Sequence, residues 1–166
     1  GGPADVRELV VTLGGAMVEL AKGLSQEEGR AAIAEVLDNG GAHAVWDRLI
    51  SAQGGRLDAL PSHVREIPVL AARDGYVQGI DGLEVGLVGV QLGAGRTRSD
   101  QAIDPVVGIR VETERGAKLQ KGDLLATVLL GEAGDPESQV IERLAKAFKL
   151  GDDPAEEQLL IIERIG

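Results

Sequence analysis

The chain has 166 residues, 17 Lys plus Arg against 27 Asp plus Glu, and a formal charge of -10; this excludes a binder of nucleic acid, because counterion release takes basic side chains clustered on one face. Hydrophobic residues make up 43% with one each of Trp, Tyr and Phe, so an aliphatic core is expected, in one domain or one domain with a small satellite. Cysteine is absent, which excludes disulfides and thiolate metal sites and fits a reducing cytoplasm, and no apolar run approaches the roughly 18 residues that cross a bilayer, so no membrane partner is expected.

The chain opens Gly1-Gly2-Pro3, without a Met or a signal-peptide pattern, and reads as a piece of something longer. From Asp5 to Lys22 the residues Val6, Leu9, Val10, Leu13, Met17 and Leu20 stripe one side of a helix that Gly23 closes. Gly14 and Gly15 interrupt it at about 1 kcal/mol each relative to Ala, which points to close approach of another backbone. Ser25 and Glu28 form a capping box for a second helix, with Ile33, Val36 and Leu37 as its buried side. Asp38-Asn39-Gly40-Gly41 ends it, and a third helix carries Val45, Trp46, Leu49 and Ile50 before Gly54-Gly55.

Residues 56–65 read as a connector, after which the periodicity shortens toward two. Ile67 to Ala71 and Tyr76 to Ile80 flank Arg73-Asp74-Gly75 and are expected as a hairpin or a pair of short strands. Leu83 to Leu92 mixes both periods and is taken as a helix. A polar, Gly-rich loop covers 93–104, then Val106 to Glu114 and Leu124 to Leu130 are strands around the turn residues 116–123. Asp135 and Pro136 start a helix with Val140, Ile141, Leu144, Ala145 and Phe148 on one side; Gly151-Asp152-Asp153-Pro154 breaks it, and Gln158 to Ile162 supplies a last strand.

Little in this pattern carries chemistry. Gly93-Ala94-Gly95-Arg96-Thr97-Arg98 begins like a dinucleotide fingerprint, but the third glycine is missing and a helix precedes it where the phosphate cradle needs a strand. His43 and His63 lack a second ligand at helical spacing and read as surface or satisfied histidines. Asp152-Asp153 and the acids Asp100 and Asp104 offer paired carboxylates, but they sit where turns and helix caps want aspartate for local backbone hydrogen bonds, and that reading is preferred. No serine sits in a nucleophile elbow and no Gly-rich loop runs into Lys-Ser or Lys-Thr. No metal site and no resident cofactor are expected.

Asp74-Gly75-Tyr76-Val77, paired with the segment from Gly116 to Val128, resembles the two quasi-symmetric halves of a biotinyl or lipoyl barrel-sandwich domain, a family that carries its cofactor on a hairpin lysine. In the biotinyl form methionines flank that lysine, whereas the only methionine here is Met17. A second resemblance covers nearly the whole chain. Asp5-Val6-Arg7-Glu8-Leu9, Thr12-Leu13-Gly14-Gly15, Ala52-Gln53-Gly54-Gly55, Asp74-Gly75-Tyr76-Val77, Leu92-Gly93-Ala94-Gly95-Arg96 and the segment Ile103 to Ile109 look like successive blocks of the C-terminal part of the pyrimidine-nucleoside and thymidine phosphorylases.

That resemblance implies an α/β protein of the α+β kind, a helical segment followed by a barrel-sandwich-hybrid-like β element with a terminal helix and strand. It implies residues 1–55 as helices of a parent α/β domain, 56–65 as connector and 66–166 as the C-terminal domain. It further implies a cytoplasmic homodimer that cleaves uridine or thymidine with phosphate as co-substrate. The phosphate-binding Lys-His-Ser-Thr-Gly-Gly motif, the groups that hold the pyrimidine and the monovalent-cation ligands of some members would all lie upstream, so nucleoside and phosphate would be partners through that part. No catalytic or substrate-binding residue is expected in this chain. Gly93, Gly95, Arg96 and Arg98 are the candidates for a loop that closes over substrate, the arginines reaching the opposite domain. The alternative is a stand-alone barrel-sandwich binding or carrier module without catalysis.

Overall fold

The computed structural model describes residues 2–59, 65–131, 136, 138–156 and 158–165. The chain forms two compact units, one from Gly1–Leu60 with Gln158–Gly166 and the other from Pro61–Glu157. His63 and Asp135 lie outside the described residues.

The first unit is helical. α1 spans Ala4–Lys22 and stops at Gly23, whose φ of 67° lets its N–H turn back to the Glu19 carbonyl. α2 spans Gln26–Asp38 behind the expected capping box: the Ser25 hydroxyl accepts the Glu28 N–H at 3.3 Å, and the Glu28 carboxylate accepts the Ser25 N–H at 2.8 Å. α3 spans Gly41–Ala52. The expected close approach is the crossing of α1 and α2. A Cβ on Gly29 would lie 2.4 Å from the Gly15 carbonyl oxygen, and one on Gly15 would lie 2.9 Å from the Arg30 nitrogen. Arg30 fastens the crossing by donating to both Glu8 oxygens, at 2.9 and 3.1 Å, and to the Thr12 hydroxyl. Arg7 reaches Asp38 at 2.8 Å.

Apolar stripes and buried faces do not coincide in this unit. Val11 and Gly15 are buried on α1, Gly29 on α2, and no residue on α3. Val36, expected on the buried side of α2, is 40% exposed, and Val45, Trp46 and Leu49 on α3 are half-exposed. The pattern of a helix states which side is apolar, and only tertiary neighbours decide whether it is covered. Residues 158–162 form no strand, contrary to expectation. The described elements around them in this unit are helices, so the apolar run finds no strand with which to share its N–H and C=O groups. The tail is held instead by Arg164, which donates to both Glu19 oxygens at 2.8 Å.

The second unit holds two small antiparallel sheets, of order β1-β5-β3 and β4-β2-β6, which do not close into a barrel among the described residues. The whole chain is thus a mixed α and β protein, as its sequence led us to expect. β1 (Arg65–Leu70) and β2 (Gly75–Ile80) are the expected pair of short strands, but they belong to different sheets and make no hairpin. The backbone between them bonds elsewhere. Ala71 donates to the Asp123 carbonyl and accepts from Gly122, both at 2.8 Å, while the Asp74 carboxylate accepts the Lys121 N–H at 2.7 Å. The turn at 72–74 is therefore sewn to the turn at 120–123.

α4 (Gly82–Gly89) settles the ambiguous segment as a helix; the Asp81 carboxylate caps it by accepting the Glu84 N–H at 3.1 Å. β3 is shorter than expected, Gly108–Val111, because Val106 has its N–H taken by the Asp104 carboxylate at 3.0 Å. β4 is the two-residue Lys118–Leu119, and β5 spans Leu124–Leu130 between β1 and β3. α5 runs Ser138–Lys146, with Pro136 ahead of it and Phe148 beyond it. Phe148, expected on the apolar side of that helix, instead opens a further strand, β6 (Phe148–Gly151). The helix ends because Ala147 turns its carbonyl to the Asp81 N–H at 2.9 Å, and the next residues pair with β2. Leu125 and Val128 of β5, Val69 of β1, Val88 of α4 and Leu144 of α5 are at most 2% exposed and form the centre of this unit's core.

Candidate functional site: the loop after α4

α4 widens into one broader turn, Val90–Ala94, and leaves helical geometry at Gly93, where φ is 111°. A side chain at that φ is strained, so the departure point of the loop is tied to glycine. Gly95 has a different reason to be small. Its backbone is extended, but a Cβ there would lie 2.7 Å from Val90 Cγ2. The loop therefore leaves the helix by folding back over Val90.

Its far end is held as firmly. Asp104 donates its N–H to the Gly93 carbonyl at 3.1 Å, which closes the base of the loop, and its carboxylate accepts from Val106 and lies where a Cβ on Gly131 would be 2.6 Å away. Between these ends the chain braces itself. The Gln101 side-chain oxygen accepts from the Thr97 N–H at 3.0 Å and the Thr97 hydroxyl at 2.9 Å. Arg98 forks onto Asp100 at 3.2 and 3.0 Å. Residues 96–100 are exposed, as expected of their polar character.

The two arginines differ. Arg98 spends its guanidinium within the loop, whereas Arg96 is exposed and no described residue hydrogen-bonds or pairs with it. A free guanidinium on a braced loop can meet an anion or a carboxylate by charge-assisted hydrogen bonds without first breaking a bond. Asp104 bonds local backbone, as its place in a turn led us to expect, and Gln101 is the residue that a reading for catalytic groups overlooks; its signal is local, a Thr four residues before it. Beside the base of the loop a groove of about 270 Å³ is lined by Gly86, Gly89, Val90, Ala94, Gly108 and Ile109. It offers backbone and aliphatic surface and no titratable side chain.

The remaining polar candidates are engaged in structure. His43 meets Asp47 across one turn of α3 at 3.2 Å. The Asp152 carboxylate binds Arg73 at 2.5 Å, and the backbone carbonyl of Asp153 accepts from Gln78 at 2.6 Å. On the β1-β5-β3 sheet Arg110 joins Glu112 at 2.5 Å and Glu66 at 3.2 Å, and Glu112 also accepts from the buried Thr127 hydroxyl at 2.8 Å. The Arg110 guanidinium, and after it Thr127, holds the Glu112 carboxyl below the usual range. Glu84 holds Arg143 charged in the same way from α4 to α5. Among the described residues no group of three His, Asp or Glu is gathered as a metal site. Nor is any described helix long and apolar enough to cross a membrane.

Comparison with known proteins adds a family to this geometry. Residues 76–151 match the family described as the pyrimidine nucleoside phosphorylase C-terminal domain. A thymidine phosphorylase of Agrobacterium fabrum is 31% identical over 175 residues, covering 99% of this chain and 40% of the relative. Pyrimidine-nucleoside phosphorylases of Bacillus subtilis and Staphylococcus aureus are 38% and 37% identical over 134 residues, covering 76% of this chain and 31% of each relative. The chain thus spans between 31% and 40% of the length of these curated relatives.

Proposed function

The chain belongs to the pyrimidine nucleoside phosphorylase family, whose C-terminal domain it carries at residues 76–151, and on that premise we propose that it serves an enzyme that cleaves uridine or thymidine with phosphate. In that reaction a phosphate oxygen forms a bond to the anomeric carbon while the bond to the pyrimidine nitrogen breaks, and the electron pair leaves with the base. Such chemistry depends on holding an anionic nucleophile and stabilising an anionic leaving group. The described residues supply no such constellation, so the role assigned to this segment is to complete the structure and to close the site. The parent enzyme is proposed to be a cytoplasmic homodimer that uses phosphate as co-substrate and no resident cofactor.

The observation that carries the closing role is the loop from Gly93 to Asp104: fixed at both ends, braced inside, and presenting one unspent arginine. A lid of this kind shields the reacting centre from water when two domains come together. Arg96 contacts the opposite domain in the closed state, and Arg98 keeps the shape of the loop.

The test is phosphate-dependent release of uracil or thymine by a full-length phosphorylase carrying this segment. Arg96→Ala is expected to lower kcat about tenfold or more, the effect of one lost charge-assisted hydrogen bond in the closed state, and to leave thermal stability unchanged. Unchanged kcat and KM would remove the closing role. A loss of stability in step with the loss of rate would make the residue structural.

A further inference from the structure

α1 turns one unpartnered side outward. Val6, Val10, Leu13, Met17 and Leu20 are 50, 43, 60, 71 and 84% exposed. They succeed one another at steps of four, three, four and three residues, the spacing that lines up a seam for knobs-into-holes packing against another helix. The tight crossing with α2 is made elsewhere, at Gly15 around the buried Val11; only the start of the seam borders α2, where Val6 and Val10 line a pocket with Leu37, and Leu13, Met17 and Leu20 are the more exposed part. A continuous apolar strip of this kind marks an interaction surface.

Two observations bear on the occupant. The Agrobacterium fabrum thymidine phosphorylase matches 99% of this chain with 40% of its own length, so most of that enzyme lies outside the matched region. The seam is also narrow for two free copies, whose stable association takes about 1,200 Å² or more of buried surface, and a formal charge of -10 sets copies against one another. A narrow seam suffices where the same polypeptide holds its partner close. We infer that the outward seam of α1 docks an apolar helix from the remaining part of a full-length phosphorylase. The inference rests on the phosphorylase reading and adds to it the surface by which this segment joins the rest.

The experiment places a single thiol on the seam, since the chain has no cysteine of its own. Leu13→Cys and Met17→Cys are made in the 166-residue chain and in a full-length chimera in which this chain replaces the matched region of the Agrobacterium enzyme, with Ser99→Cys as an exposed control. Maleimide labelling is read peptide by peptide. The expected result is rapid labelling of positions 13 and 17 in the free chain and labelling slowed about tenfold or more in the chimera, with the control unchanged. Equal rates in both proteins overturn the inference. So does protection in the free chain: if it grows with concentration the occupant is a second copy, and if it does not the chain covers the seam itself. As a second measurement, Leu13→Glu with Met17→Glu is expected to lower the Tm of the chimera and leave that of the free chain unchanged; no change in the chimera counts against docking. Protected thiols in a chimera that releases no base would retain the seam and reject the phosphorylase reading, and an active chimera with unprotected thiols would do the reverse.

Discussion

At the scale of single residues, Gly29 and Glu112 show how much depends on one atom. Gly29 can gain no methyl group without meeting the Gly15 carbonyl at 2.4 Å, so Gly29→Ala must push α1 and α2 apart although alanine is the better helix former. Overpacking costs about 1–3 kcal/mol and outweighs the roughly 1 kcal/mol gained in propensity. Hydrogen exchange is expected to show α1 and α2 losing protection in that variant, and unchanged protection would refute the tight crossing. Glu112 makes its claim through pH. Arg110 and Thr127 lower its folded value, so the unfolded chain binds the proton more readily. The stabilisation is therefore complete above the ordinary glutamate value, about 4.3, and is lost as pH falls from there through the lowered folded value. Glu112→Gln should be less stable than the parent at neutral pH, and the gap should close on acidification; a gap that widens in acid would reverse the sign.

At the scale of elements, β5 and α1 behave as opposites. β5 lies between two strands with Leu125 and Val128 at most 2% exposed, and Leu144 of α5, at 0%, belongs to the same core cluster. Leu125→Ala or Leu144→Ala is expected to cost about 2–5 kcal/mol by denaturant unfolding, whereas Leu20→Ala, 84% exposed, should change stability within about 0.5 kcal/mol. The same contrast explains what the sequence disclosed. Caps and periodicities are local, so the Ser25–Glu28 box, the stop at Gly23 and the paired glycines of α1 could be read directly. Strand partners are not local. Arg73-Asp74-Gly75 has the composition of a hairpin turn, yet its neighbours bond to Gly122 and Asp123, some 50 residues on. Residues 158–162 have strand-forming side chains without a strand to join, and Phe148 fits an amphipathic helix until the pairing with β2 claims it. At the candidate site, polarity and exposure of the loop were legible, while the division of labour between Arg96 and Arg98 required seeing that Asp100 lies within reach of only one of them.

At the scale of the whole molecule, the two units differ in how much apolar surface each has removed from water. The strongly buried aliphatic residues gather in Pro61–Glu157, and the helical unit contributes Val11 to them. The free chain is therefore expected to unfold in two steps, the helices first; equal hydrogen-exchange protection in α1 and β5 would contradict this. It is also expected to release no base from thymidine or uridine in phosphate, and turnover within about tenfold of a full-length relative would refute the division of roles proposed above.

The bidentate pair between Arg164 and Glu19 spans 145 residues of chain. A surface ion pair contributes about 1 kcal/mol at most, which alone does not offset the entropy of closing so long a loop. The segment between includes a unit with its own core, and once that unit has folded the loop is effectively much shorter. During synthesis Glu19 leaves the ribosome long before Arg164 does. The contact that ties Arg164 to α1 can therefore form only after the strands between them have been made, whereas the crossing of α1 and α2 can form as soon as its own residues are out.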